Sequence, residues 1–580
     1  MKSIPRTAIQ VLIILTILGS MFLVHTNSRS SILIKEAVYV AGAALAMLIA
    51  FLGMLTEGTF ASERLCRSLI VSFILLMAWI VFRHFTGIQS VNGPGYIYST
   101  IALASLVSVI AGTFTRKIRD FVLWVLVIST ALLSVYAILQ FLGMIIFPWD
   151  AGLTQMSRSS STMGNANLLG SFAIAMLPVG AGFLLSRLKL SRLRLPAAAC
   201  YALLCMGAIL ASKTRGSLIG LFAIAAFLPF VPFIRKNRRT FIVLFLVLVI
   251  LIAGSFFLLG NRMEELAQTE SGTLQVRKLI WSGTLSMILE NPVMGYGPGS
   301  FQIIFPQFRN PQYFILGVSH NTLHAHCEYL EILVDTGIIG LFLWAAVALS
   351  IFRIVYRKRE SLFSSGTAEE KANRWLVAGI IAGLVALLSE ASVSVALRWP
   401  PSALLLALFT GLLLASIPSK FAVRGHFSKY CTAGVFLLLA LLLGIGAVPD
   451  YFRRIKAGRE LFIGKDIYLA HIQGRITDAV NAASEWSVTE DDDAAQRALY
   501  YYSAATELSD SSITWCKKCI ETNPDELGGW YALGSSYVTA ARLYQQFSPP
   551  LAEILRNSGM PAEDLDKARQ LTYLGLEAFD

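Results

Sequence analysis

The sequence predicts an all-α fold: a polytopic membrane protein of about 13 transmembrane helices followed by a small extracytoplasmic helical domain. Three observations predict it. Of 580 residues, 55% are hydrophobic and 14% charged, with a mean hydropathy of +0.63, whereas soluble domains carry about 25% charged residues. The charge deficit lies in long apolar runs that continue to about residue 450. From Asp450 onward the composition turns polar, mixed in charge and rich in Ala and Tyr. The expected organisation is a membrane domain over 1–450, with one large outer loop at 260–336, and a helical domain over 451–580.

A bilayer core needs about 20 apolar residues per helix. The runs that meet this are roughly 8–25, 32–55, 68–85, 97–114, 120–147, 166–186, 195–212, 217–234, 240–259, 337–356, 374–397, 400–417 and 429–448. Lys2 and Arg6 precede an apolar run with no small-residue cleavage site, so it is read as an uncleaved first span. With the N-terminus in the cytoplasm, the inner connections hold 24 basic residues and the short outer ones hold 7. That is the bias expected of cytoplasmic loops. The net charge of +12 is therefore a topology and headgroup signal, and nucleic acid is not a partner. The loop 260–336 and everything after the last span then lie outside. The outer basic residues Arg29, Lys35, Arg83, Arg158, Lys213, Arg215 and Arg398 are the ones topology does not explain.

Three outer stretches carry candidate chemistry. Arg158 to Asn167 is rich in Ser, Gly and Asn, which suits a turn with exposed backbone donors. Ser212-Lys-Thr-Arg-Gly-Ser217 places Arg215 at the membrane boundary, just before a helix whose N-terminal dipole is positive, an arrangement suited to phosphate. The long loop contains Arg277 and Trp281 on an amphipathic pattern of Leu274, Leu279, Ile280, Leu285 and Ile288. Pro292 and the glycines Gly295, Gly297 and Gly299 end that pattern in a tight turn. The loop closes on His320, His324 and His326, followed by Glu328, Glu331 and Asp335. In a helix, His324 would share a face with the three acids while His326 pointed elsewhere. One metal ion could not easily take both histidines. A histidine at an apolar boundary suits proton transfer, because its pKa lies near neutrality.

These motifs, in this order, resemble the O-antigen ligase and Wzy-type polymerase superfamily of bacterial envelope glycosyltransferases. The resemblance rests on Arg158…Gly164-Asn-Ala-Asn167, Ser212-Lys-Thr-Arg-Gly216, Arg277…Trp281…Asn291-Pro-x-x-Gly-x-Gly-x-Gly-x-Phe301 and His326-Cys-Glu-Tyr-Leu…Gly337-Ile-Ile-Gly. It implies an enzyme of the bacterial cytoplasmic membrane that moves a glycan from an undecaprenyl-diphosphate carrier to a glycan, lipid or protein acceptor. It implies neither a metal, nor another cofactor, nor a nucleotide sugar. By the same resemblance, Arg215 and Arg277 hold the diphosphate and His326 is the base. Arg158, Asn165, Asn167, Gly295, Gly297 and Glu328 line the substrate. Cys327 stands where the family usually has Asn, which leaves His320, followed by Asn321, as the alternative histidine. His326 is preferred because Glu-Tyr-Leu and Gly337-Ile-Ile-Gly follow it in order. Ionisable residues deep in spans would instead favour a transporter, and Glu390 is the chief such residue.

Beyond the last span, Trp530-Tyr-Ala-Leu-Gly-Ser-Ser-Tyr537 resembles one tetratricopeptide repeat, so a protein partner is expected there. The seven cysteines form no dense disulfide pattern. Cys516 and Cys519 are spaced as on one face of a repeat helix, without the strand-to-helix context of a thiol-exchange site.

Overall fold

The computed structural model describes residues 4–452 apart from 24–30, 58–66, 89, 91–92, 145, 148–157, 189, 237–241, 243–262, 311, 313–321, 323, 364–365 and 418–425. The described residues are helical with connecting turns, as hydrocarbon demands: a helix satisfies its backbone polar groups internally where no water can. In chain order they form α1 (Ile4–Phe22), α2 (Ser31–Glu57), α3 (Arg67–Thr86), α4 (Gly93–Thr113), α5 (Arg116–Phe141), α6 (Ala166–Arg187), α7 (Ser191–Ser212) and α8 (Gly216–Phe227). Then come α9 (Pro232–Lys236), α10 (Met263–Glu290), α11 (Phe301–Phe308), α12 (Glu328–Arg357), α13 (Arg359–Leu362), α14 (Ala368–Glu390), α15 (Pro400–Ala415) and α16 (His426–Leu441).

Among the described residues nine helices are long and apolar enough to cross a membrane, and three shorter apolar ones accompany them, Ala8–Phe22, Gly216–Phe230 and Pro400–Ala415. They occupy every stretch expected from hydropathy except 240–259, which lies outside the described residues apart from residue 242. The tetratricopeptide-like segment, Cys516 and Cys519 and the alternative His320 also lie outside them. Ile74, Leu132, Phe342 and Phe352 point out of the bundle, as lipid-facing side chains do.

α6 is the most buried of the spans, with α7 on one side and α14 on another. Small residues let α6 and α14 approach closely. A Cβ on Gly383 would stand 2.8 Å from the Ala175 carbonyl oxygen, and one on Gly379 would meet the Pro178 carbonyl. A capping box starts α14: Thr367 Oγ1 accepts from Glu370 N, and Glu370 Oε2 accepts from Thr367 N, each at 3.1 Å.

Two boundaries differ from the hydropathy reading, and both shape one end of the bundle. The span expected from 337 begins nine residues earlier, at Glu328, because Glu328, Glu331 and Asp335 interrupt the apolar residues of its first turns. Gly337 (φ 66°, ψ −172°) then kinks α12 between its polar start and its apolar body. The Val293 carbonyl occupies the place a Cβ would take, and Ile338 N donates to Pro292 O at 2.9 Å. Replacing Gly337 with Ala would add both a left-handed φ and a backbone clash, at a cost of about 1–3 kcal/mol or more. The expected outcome is a thermal transition in detergent several degrees below that of the parent, with Gly444→Ala, where a Cβ meets nothing within 4 Å, as the unshifted control.

Candidate functional site

The segments singled out in the sequence meet at one end of the bundle. Among the described residues only Ser161, Lys213 and His326 carry a positive φ without being glycine, at 51°, 51° and 53°. Each belongs to one of these segments. Non-glycine residues in this region are uncommon and concentrate where function constrains the backbone.

The first segment joins α5 to α6. Asn165 caps α6 by accepting from Asn167 N at 2.8 Å. Arg158 donates through Nη2 to Asn167 Oδ1 at 2.6 Å and through Nε to the Ser212 carbonyl at 3.0 Å. Ser159 N donates to Ala211 O at 3.0 Å, so this loop is fastened to the end of α7. Lys35, fully buried, donates to Thr162 O at 2.5 Å and to Met21 O at 3.2 Å. Its work is to tie the loop to α1, a role the sequence left open.

The second segment turns α7 into α8. Lys213 takes the left-handed C-cap position of α7, and Arg215 stands exposed at the N-cap of α8. Thr214 Oγ1 donates to Ala166 O at 3.0 Å, fastening this turn to the start of α6. Beneath it Glu390 is buried, accepts from Ser171 Oγ at 2.7 Å, and packs so closely that a Cβ on Gly216 would lie 3.1 Å from its Oε1.

Arg277, on α10, completes a cationic cluster. Burial, then the charges of Arg215 and Arg158, push its pKa below the ordinary arginine value. It stays charged at neutral pH, since no protein environment brings arginine so low. Three guanidiniums from three segments therefore share one region of space, an arrangement suited to an anion of more than one charge.

His326 stands beside Arg277. Burial chiefly, then the positive neighbours Arg277 and His324, lower its pKa to about 4, with Glu331 opposing them. At neutral pH it is a neutral imidazole. Its backbone is held by its neighbour: Ala325 N donates to Glu331 Oε2 at 2.9 Å, and Ala325 O accepts from Trp281 Nε1 at 3.0 Å. Trp281 lies one helical turn beyond Arg277, so one face of α10 supplies both the cation and the brace. The helix starts only after Cys327. The two histidines thus lie in non-helical chain, where His324 Nδ1 still reaches Glu331 Oε1 at 2.7 Å. Burial raises the Cys327 thiol, which stays protonated.

Glu328, Glu331 and Asp335 surround Arg398. Its Nε lies 3.0 Å from Glu328 Oε1, and its Nη1 lies 3.3 Å from Glu331 Oε1 and 2.9 Å from Asp335 Oδ2. The guanidinium stacks 4.8 Å from the centre of the Tyr96 ring. Burial alone would lower the Arg398 pKa; the three carboxylates outweigh it and hold the group well above its ordinary value.

The glycine turn is a clasp. Gly295 N donates to Asn291 O at 3.2 Å and Gly297 N to Asp335 O at 2.9 Å. Arg83 Nη2 and Asn291 Nδ2 both donate to Gly295 O, at 2.8 and 2.7 Å. The amides of Gly295 and Gly297 are thus engaged within the protein, and the turn fastens α3 and α10 to the start of α12. Glu328 likewise faces Arg398. The structure brings together Arg158, Asn167, Arg215, Arg277 and His326. It adds Glu331, Arg398 and Trp281, which the sequence reading did not assign to the site. Two signals pointed to them: an outer arginine that topology did not explain, and acids at i, i+3 and i+7 that need a cation on their shared helix face.

Comparison with known proteins agrees with this geometry. Residues 199–345, which hold Arg215, Arg277 and His326, match the family model described as O-antigen ligase. An O-antigen ligase of Pseudomonas aeruginosa is 29% identical over 267 residues, 45% of this chain and 59% of that relative. The chain thus matches less than two thirds of the relative's length. The motifs, the all-helical membrane bundle and these two matches agree: the chain is similar to O-antigen ligases, and the matched region carries Arg215, Arg277 and His326.

Proposed function

We propose that the protein transfers a glycan from an undecaprenyl-diphosphate carrier to an acceptor hydroxyl at the outer face of the bacterial cytoplasmic membrane. The observation that carries this is the meeting of Arg158, Arg215 and Arg277 beside a neutral His326. Breaking the sugar C1–O bond leaves its electron pair on the diphosphate, so negative charge grows on the leaving group. Guanidiniums held in place before the reaction stabilise that charge without reorganising. Arginine adds planar, bidentate donors that fit phosphate oxygens. The acceptor hydroxyl attacks C1 from the opposite face and gives its proton to His326, so the anomeric configuration inverts. In this reading Asn165 and Asn167 hold the Arg158 loop in register, while Gly295, Gly297 and Glu328 shape the substrate site from behind. The acceptor is lipid A–core, as the O-antigen ligase matches favour, with the N-terminus cytoplasmic and residues 451–580 outside, available to a protein partner.

Removing single members of the site tests the reading. In proteoliposomes supplied with undecaprenyl-diphosphate-linked glycan and lipid A–core, Arg215→Ala and Arg277→Ala are each expected to lower transfer by about 10²–10³-fold. His326→Ala should lower it by about 10²–10⁴-fold. Full transfer by any of the three, at equal membrane abundance, would remove its assignment.

The pH dependence follows from the position of His326. The base works only when neutral, so activity falls as pH drops through its pKa. In the donor-free enzyme that pKa is about 4, and the acid limb of kcat/KM belongs there. A bound diphosphate compensates the arginine charges, so the acid limb of kcat should lie at higher pH than that of kcat/KM. Arg277→Gln removes a positive neighbour and should move the kcat/KM limb upward from about 4, short of the ordinary 6.5 because burial is the larger cause. Identical limbs in parent and variant would show that His326 does not set the profile.

A further inference from the structure

The Arg398 cluster is unusual as a stabilising device. Taking one guanidinium and three carboxylates out of water is costly, and well-packed apolar residues often stabilise a fold as well or better. Its connections suggest another use. Glu331 is the hub: Oε1 meets both Arg398 and His324, and Oε2 accepts the Ala325 amide. Trp281 holds the opposite side of Ala325 through its carbonyl. The next residue, His326, sits at φ 53°. A side chain in this strained region keeps its direction only while its neighbours over-determine the backbone. On the other flank, Glu328 N donates to Ala391 O at 2.9 Å, and Asp335 Oδ1 accepts from Gly299 N at 3.1 Å.

The cluster also has a charge. Burial of Glu331 is outweighed by Arg398 and His324, which keep it ionised, whereas burial raises Glu328 and pushes Asp335 up to about 7. Glu331 is therefore the acid that bears negative charge on His326, while Arg277, neighboured by Arg215 and Arg158, bears positive charge on it. The groups bearing on His326 are Arg277 from α10, His324 from its own segment and Glu331 from α12, and Glu331 is the one that favours its protonated form. Glu331 in turn meets Arg398 and His324, with Glu328 and Asp335 around the same guanidinium and Tyr96 beneath it.

We propose that Arg398 and Glu331 are positioning residues for the transfer reaction: Arg398 holds Glu331 in place, and Glu331, through His324 and the Ala325 amide, fixes His326 in its working orientation and favours its taking a proton. This rests on the reading of His326 as the base. It predicts a loss in the chemical step with donor binding retained, because the three diphosphate arginines are untouched.

The test uses the full-length protein in proteoliposomes with undecaprenyl-diphosphate-linked glycan and lipid A–core. Arg398→Gln and Glu331→Leu should lower kcat by about 10²-fold, as expected when a reacting group is misplaced by about 1 Å, while the donor KM stays within about 2-fold. Arg398→Lys, which keeps the charge, should recover part of the loss. Glu331→Gln keeps an acceptor for Ala325 N–H but loses the negative charge, so it should retain more activity than Glu331→Leu and move the acid limb of kcat to lower pH. If Arg398→Gln or Glu331→Leu does not fold, judged by gel filtration in detergent, Arg398→Lys and Glu331→Gln carry the test. Unchanged kcat in these variants, a rise in KM alone, or a fall in kcat with an unmoved acid limb in Glu331→Gln would each overturn the proposal. His326→Ala separates the two levels. If it is inactive while Arg398→Gln and Glu331→Leu are fully active, only the positioning role fails; if it is fully active, the base assignment fails.

Discussion

Arg158, Arg215 and Arg277 repel one another, yet the fold brings them to one place. Each guanidinium added to the cluster makes the next more costly, and burial of Arg277 adds to that cost. Hydrogen bonds to neutral carbonyl oxygens between the loops meet it. Ser159 N reaches Ala211 O, Arg158 reaches Ser212 O, Thr214 reaches Ala166 O, and Lys35 draws the first loop towards α1. None of these bonds neutralises the cluster. They hold Arg158 and its loop through neutral oxygens, and the place where the arginines meet suits an anionic ligand of more than one charge.

The opposite end of the bundle shows what ordinary neutralisation looks like. There Asp120 lies 3.0 Å from Arg119 and 2.7 Å from Arg187, Arg116 pairs with Glu369, and Arg187 also donates to Asn373. These are arginines that the inner-loop count assigns to topology: Arg116 and Arg187 each find an acid on a neighbouring helix, and Arg119 pairs with Asp120 of its own helix. At the site end the buried acids Glu328, Glu331 and Asp335 gather on Arg398, while the charges that bear on Arg277 are those of Arg215 and Arg158. His326 thus feels both Arg277 and Glu331, the one lowering and the other raising its pKa.

Much of this was legible in the sequence, and the reasons are physical. Span positions follow from the cost of polar groups in hydrocarbon, which dominates composition over twenty-residue windows. Arg158, Arg215 and Arg277 stood out because topology explained neither the outer ones nor the motif around Trp281. The start of α12 was hidden, because three acids interrupt the apolar residues between Glu328 and Thr336 and Gly337 follows them, the pattern of a loop end. Helical periodicity put His324 on the acid face and His326 off it; that separation holds although neither histidine is in the helix, because the chain reaches Glu331 from beyond the N-cap. The roles of Arg398 and Glu331 depend on contacts across 63 to 70 residues of chain, which no local pattern encodes. Gly295 and Gly297, read from the motif as lining the substrate, lie against the protein's own backbone: a Cβ on Gly295 would meet α12, and one on Gly297 would meet Ile88 and Arg83.

The glycine clasp and the kink form one construction. Gly337 breaks α12 at the point where Val293 and Pro292 press against it, and Gly295 and Gly297 let the clasp lie on Val334, Asp335 and Thr336. Trp79 from α3 donates to the Thr336 carbonyl at 2.9 Å, next to the break. The first turns of α12 are thereby held from three directions, independently of its membrane-spanning body. Those turns carry Glu328, Glu331 and Asp335, and Glu331 carries the His324–Ala325 segment. The clasp and the kink therefore do for the acidic face of α12 what the bonds among the loops do for the arginines: they hold its charged groups in place, and with them the His324–Ala325 segment.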